Sequence, residues 1–170
     1  MRIVEFIQKN VRGDLLDKVM VVTTKLGDKG AAWVLTALLL IATKKHRPIG
    51  VAMLVALIFG VLISEVLMKP LVGRARPCAE NPDVALLIKR PRGYSFPSSH
   101  ALVSFAAAAV VYCADKRWGL AAFVLAATIA FSRVYLYVHY LSDIIAGAFL
   151  GAAIGAYARY DVRLALRKWA

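Results

Sequence analysis

Long apolar runs separated by short polar clusters dominate this chain, and their lengths set its class. Pro48–Met68 is a run of about 21 residues interrupted only by Ser64-Glu65, and ~20 suffice to cross a bilayer core as a helix. Trp118–Val138 and Leu141–Ala158 are comparable, Ser99–Ala114 is somewhat shorter, and Gly30–Thr43 is the shortest. The five runs predict five spanning helices. Polar punctuation separates them: Lys44-Lys45-His46-Arg47-Pro48, Asp115-Lys116-Arg117, and a break near His139–Ser142. Residues 1–28 read differently. Ile3, Ile7 and Val11 recur at helical spacing among charges, and after Gly13-Asp14 so do Leu15, Val19, Val22 and Leu26. That pattern predicts two amphipathic helices lying in the membrane interface. Pro70–Pro97 is the one long non-helical stretch and holds five of the six prolines. Loops of that length are usually functional or disordered. The expectation is an all-α, polytopic transmembrane helix bundle with about five spanning helices plus N-terminal interfacial helices, one domain over residues 1–170.

Composition supports that class. The chain is 61% hydrophobic with a mean hydropathy of +0.66, against roughly 45–50% apolar for soluble domains. The net charge is +12, from 22 Lys+Arg and 10 Asp+Glu. No nucleic-acid motif accompanies this charge, so it points to membrane lipids and an anionic substrate rather than to nucleic acid. The two cysteines, Cys78 and Cys113, fit neither a disulfide framework nor a metal-binding spacing. Cys113 reads as a small apolar packer. No cleavable leader pattern is evident in the charged first 29 residues.

The expected crossings bring unusual polar residues together. The second run delivers Lys69 to one membrane face, and Ser98-Ser99-His100 starts the next helix there. The fourth run returns Arg133, and the fifth begins with Asp143. Charged groups at membrane depth are costly and mark functional sites. Lys69, Arg76 and Arg133 suit phosphate oxygens and could neutralise a phosphoryl group in its transition state. Arg74, with no matching role, reads as a headgroup anchor. Glu65 precedes Lys69 by four residues and would hold it by a salt bridge. Ser98 is an expected N-cap, and the helix start beside it favours an anion. His100 could donate a proton to a leaving oxygen, or could be a plain surface histidine. His139 and Asp143, four apart, would share a face if helical. The carboxylate would then fix the imidazole tautomer and leave Nε2 to attack phosphorus. An interfacial ion pair is the alternative for these two residues. Tyr135, Tyr137 and Tyr140 read as interfacial belt residues or as the lining of a tail entrance. Gly147, Gly151 and Gly155 would let helices pack closely, within the bundle or in a homodimer.

Three blocks carry a family resemblance: Lys69-x6-Arg76-Pro77, Pro97-Ser98-Ser99-His100, and Ser132-Arg133-x5-His139-x3-Asp143. The chain resembles the type 2 phosphatidic acid phosphatase (PAP2) superfamily, whose second block carries glycine where Ser99 stands. The resemblance implies a membrane lipid phosphatase that needs no metal or other cofactor. His139 would be the nucleophile forming a phosphohistidine, Asp143 its orienting partner and His100 the acid. Lys69, Arg76, Ser98, Ser99 and Arg133 would bind phosphate. Short members of the family resemble bacterial undecaprenyl-diphosphate phosphatases. That resemblance suggests a polyprenyl diphosphate substrate and an inner-membrane site facing outward. Phosphatidylglycerophosphate, phosphatidate and lipid A phosphate remain open. So does a non-catalytic protein that binds or moves anionic lipids. Loop charges divide almost evenly between the two faces, so the positive-inside rule does not orient the bundle.

Overall fold

The computed structural model describes residues 3–168. All regular structure among them is helical: α1 (Ile3–Asn10), α2 (Asp14–Gly27), a 3-10 turn (Asp28–Gly30), α3 (Ala31–Ala42) and α4 (Arg47–Val61). A π-helix (Leu62–Met68) leads into α5 (Lys69–Val72), and α6 (Pro77–Glu80), α7 (Ser99–Ala114), α8 (Lys116–Tyr135) and α9 (Leu141–Lys168) follow. α7 is the central helix and packs against α4, α8 and α9. Small residues make that position possible. Ala101, Ala106, Ala107, Ala108 and Ala109 are all buried on it. The glycine stripe of α9 faces it: a Cβ on Gly151 or Gly155 would lie 2.1 Å from the carbonyl oxygen of Leu102 or Ala106. The stripe is therefore consumed inside the bundle and is not available for a homodimer seam.

Three stretches are long and apolar enough to cross a membrane: Arg47–Glu80, Lys116–Tyr135 and Leu141–Val162. The expected five become three because α7 has 16 residues and α3 has 12. At ~1.5 Å per residue α7 extends roughly 24 Å, short of a ~30 Å core. Walled by three other helices, α7 has little lipid to match. The outward faces of the bundle are apolar, with Leu39, Val66, Val124 and Phe149 all exposed. Helices apolar on every side belong in a membrane.

Several local expectations change. α9 continues through Arg159 to Lys168, so the basic tail is helical; the side chains of Arg163, Arg167 and Lys168 lie outside the described ones. A single residue, Asp115, joins α7 to α8, and its carboxylate caps the amides of Arg117 and Trp118 at 2.9 and 3.1 Å. Cys113 is exposed rather than packed, while Cys78 is buried. α1 and α2 dock on the bundle through Val4, Ile7, Met20, Thr23 and Thr24. The Leu15, Val19, Val22 and Leu26 stripe faces outward, as a lipid-facing stripe would. Tyr135, Tyr137 and Tyr140 are buried in the core cluster that α1 and α2 share with the end of α8, rather than forming a belt. Their polar tips or faces are met by Asp17, Asn81 and Arg74 respectively.

Candidate active site

The backbone breaks where the site residues must gather. α4 relaxes into π geometry over Leu62–Met68 before reaching Lys69, and π segments concentrate at functional positions. α8 ends at Tyr135, and residues 136–140 form a tight turn with Tyr137 at φ +63°. In that turn the Arg133 carbonyl accepts from the amides of both Val138 and His139, at 3.1 and 3.2 Å. His139 therefore lies before α9 rather than on it. It meets Asp143 because the turn folds over the helix start, not because the two share a helical face. The six-residue interval from Arg133 to His139 is closed by this break.

His139 is buried, and its Nδ1 lies 3.3 Å from Asp143 Oδ2. Its Nε2 lies 2.9 Å from Arg76 Nη1. A guanidinium can only donate, so Nε2 carries the lone pair and Nδ1 carries the proton toward Asp143. Burial pushes the imidazole down to about 3, against the Asp143 hydrogen bond, and Arg76 and Arg133 repel a second proton. The ring is neutral at ordinary pH, which is the nucleophilic form. Two carbonyls fix Arg76: the same Nη1 donates to Val138 at 3.0 Å, and Nε donates to Gly93 at 3.1 Å.

Asp143 is fully buried and accepts three hydrogen bonds, the first from His139. Its Oδ2 also accepts from the Tyr140 amide at 2.9 Å, and its Oδ1 accepts from Arg74 Nη1 at 2.8 Å. Arg74 also donates to Ser142 Oγ at 2.7 Å and stacks 4.0 Å above the Tyr140 ring. The sequence reading of Arg74 as a headgroup anchor is therefore wrong. It is the cation that neutralises the buried Asp143 carboxylate, and only the chain path, 69 residues apart in sequence, brings them together.

On the opposite wall, Lys69 Nζ donates to Glu65 Oε1 at 2.5 Å, as the i,i+4 spacing predicts. Ser99 Oγ reaches the same carboxylate oxygen at 2.5 Å and lies 2.6 Å from Ser64 Oγ. The serine that replaces the family glycine is thus tied to the lysine's partner. Ser98 caps α7 through the Ala101 amide at 3.5 Å and donates its own amide to the Asp143 carbonyl at 3.1 Å. It is fully buried and does not line the cavity; its hydroxyl is spent on the cap. His100 Nε2 lies 3.0 Å from Asp28 Oδ1, and Arg133 Nη1 donates to Thr24 Oγ1 at 2.5 Å. Arg133 is buried, yet its Nε has no protein partner.

Lys69, Arg76, Ser99, His100, Arg133 and His139 line one cavity of about 480 Å³. Lys29 and Arg92 also border it. These two cations, with Thr24, Asp28 and Arg74, are what sequence reasoning missed. Arg92 sits in the proline-rich loop, whose length was the signal available. Among the described residues no group of His, Cys, Asp and Glu side chains could hold a metal ion. A ring of cations around a neutral imidazole is chemically suited to a phosphoryl group.

Residues 49–167 match the family model described as the PAP2 superfamily. The chain is 31% identical over 140 residues to an undecaprenyl-diphosphatase of Sulfolobus acidocaldarius, covering 82% of this chain and 67% of that protein. It is 40% identical over 91 residues to a lipid A 4'-phosphatase of Bacteroides thetaiotaomicron, covering 49% of this chain and 40% of that protein, less than half its length. Its fold superposes on the crystal structure of a transmembrane PAP2-type phosphatidylglycerolphosphate phosphatase from Bacillus subtilis with a TM-score of 0.73 at 27% identity. That superposition covers 94% of this chain and 85% of the other. With its three motif blocks, its helical bundle and its cation-lined histidine site, the chain belongs to the PAP2 superfamily of metal-independent membrane lipid phosphatases.

Proposed function

We propose that this protein removes a terminal phosphate from a lipid phosphate through a phosphohistidine on His139. The observation that carries this reading is the orientation of one ring: Nδ1 is held by Asp143, and the lone pair of Nε2 is turned toward Arg76 on the wall of a cavity that Lys69 and Arg133 also line. A phosphoryl group entering there accepts hydrogen bonds from Arg76, Arg133 and Lys69, and the unpartnered Nε of Arg133 gains a partner. Among the described residues Ser99 is the one that adds a hydroxyl to the cavity wall; Ser98 caps α7. His139 Nε2 attacks phosphorus as the bond to the lipid oxygen breaks. Burial holds His100 down at about 4 in the empty site, so it takes up its proton under the negative charge of Asp28 and the incoming phosphate, and gives that proton to the lipid oxygen, which leaves as the lipid alcohol. Water then attacks phosphorus, its proton returns to His100, inorganic phosphate departs and His139 is restored. No step requires a cofactor.

The named relatives act on different lipid phosphates. Two of them are, by name, a lipid A 4'-phosphatase and a phosphatidylglycerolphosphate phosphatase, which favours a lipid phosphomonoester such as phosphatidylglycerophosphate or a lipid A phosphate. The Sulfolobus relative supports a polyprenyl diphosphate as the second reading, and Lys29 and Arg92 at the cavity border add charge for a second phosphate. The site faces outward from the membrane in this reading. Protein purified in detergent should release inorganic phosphate from one of these lipids with a chelator present, and His139→Ala should abolish release. Full activity in His139→Ala would falsify the mechanism. Lipid scrambling that survives both histidine substitutions would instead support a lipid-moving protein.

A further inference from the structure

The two histidines of the site are held in opposite senses. His139 gives Nδ1 to a carboxylate and turns the lone pair of Nε2 toward Arg76 Nη1 at 2.9 Å. His100 gives Nε2 to a carboxylate, Asp28 Oδ1 at 3.0 Å, which leaves Nδ1 to serve the cavity. Asp28 belongs to none of the three motif blocks and lies before residue 49, where the family match begins. It enters through local backbone geometry. α2 ends at Gly27, and the 3-10 turn that follows carries Lys29 at φ +54° and Gly30 at φ +67°. A Cβ on Gly27 would fall 2.7 Å from His100 Cδ2 and 2.6 Å from Ile129 Cγ2. Glycine thus lets the end of α2 lie flat against the imidazole, with Asp28 at its edge. Four residues earlier Thr24 accepts from Arg133. The same helix therefore touches a phosphate-binding candidate and the acid candidate.

We propose that Asp28 is a positioning residue for His100: it fixes the imidazole through Nε2–H and so selects Nδ1 as the nitrogen that exchanges a proton with the leaving oxygen and then with water. This rests on the phosphatase reading above. Burial disfavours a proton on His100, and so do Arg133 on α8 and Lys69 on α5; Asp28 is the carboxylate that opposes them. In the protonated ring both N–H groups are present, one on Asp28 and one toward the cavity. Once the cavity-side proton has gone to the lipid oxygen, the neutral ring keeps Nε2–H on Asp28, so Nδ1 holds the lone pair that receives the proton from water. The tautomer never has to change during turnover. Asp28 is 58% exposed and borders a second cavity of about 450 Å³ that also touches His100 and Arg133. Water therefore screens the pair, and the expected effect is moderate.

The test is steady-state phosphate release by full-length protein in detergent, on whichever lipid phosphate the wild type cleaves. Asp28→Asn should lower kcat about tenfold, a fraction of the ~10²–10⁴ that general acid–base catalysis contributes, with KM little changed. The alkaline limb of its kcat profile should move to lower pH, because the cations then act on His100 unopposed. Asp28→Glu should restore part of the rate. In a His100→Ala background Asp28→Asn should cost nothing further, since residues that act as a unit are not additive. An unchanged rate and limb in Asp28→Asn, or a full additional loss in the His100→Ala background, overturns the proposal and leaves the phosphatase intact. A wild type that cleaves no lipid phosphate, or a fully active His139→Ala, overturns both.

Discussion

Arg74 shows how a single side chain changes meaning once its surroundings are known. In sequence it is one more arginine in a basic loop. In the fold it is the cation on a buried carboxylate that itself orients His139. A hydrogen bond to a charged group is worth about 1.5–3 kcal/mol. Arg74 is 35% exposed, so Arg74→Ala should cost about tenfold in kcat, the low end of that range. Arg74→Lys should recover part of it; equal activity in wild type and Arg74→Ala would show that Asp143 needs no external cation. His139 carries a second consequence at this scale. Its ring binds a proton at about 3 when folded and at 6.5 when unfolded, so between those values the unfolded chain holds more protons than the native one. Native stability is free of this penalty above pH 6.5 and declines as pH falls toward 3. Melting curves in detergent across that window should slope downward with acid, and His139→Gln should flatten the slope.

At the scale of elements the α7–α9 contact governs whether a bundle forms. Glycine in a helix interior costs ~1 kcal/mol relative to alanine, so Gly151→Ala would stabilise an isolated helix. Here the added Cβ would lie 2.1 Å from the Leu102 carbonyl oxygen, where helix backbones leave no flexible atom to yield. Overpacking typically costs about 1–3 kcal/mol. Gly151→Ala should therefore lower the melting temperature in detergent, and Gly151→Leu should prevent recovery of folded protein. A higher melting temperature for Gly151→Ala would contradict the close approach. The sequence foresaw small residues at an interface; which interface depended on where α7 lay. The N-terminal helices carry a similar lesson. Their outward stripe was legible, but their inward face, with Thr24 and Asp28 bonded to the site, was not. Those bonds join residues about 70 to 110 positions apart.

For the whole molecule, nearly balanced loop charge means that direction in the membrane is set by something other than the positive-inside rule, and labelling reads it directly. α7 starts at the cavity and α8 returns from the far end, so Asp83 in the long loop and Lys116 at the α7–α8 corner lie at opposite ends of the bundle; both are exposed. In a Cys113→Ala background, with Cys78 buried, Asp83→Cys should react with a membrane-impermeant thiol reagent added outside intact cells. Lys116→Cys should react only after permeabilisation. The reverse pattern would place the site on the inner side.

The sequence by itself determined the membrane class, the boundaries of most helices, the three motif blocks and the candidate residues Lys69, Arg76, Ser99, His100, Arg133 and His139, about half of those that line the cavity. These are properties of local composition and spacing, set by the length of helix needed to bury apolar side chains and by the cost of stranding charge among them. Tertiary structure decided how those residues are held. It reduced five expected spans to three, because a helix surrounded by other helices has no lipid thickness to match. It withdrew Ser98 from the cavity by using its hydroxyl as a cap. It brought in Arg74, Thr24 and Asp28, whose partners lie far along the chain and whose roles depend on which side chains the fold places within hydrogen-bond reach.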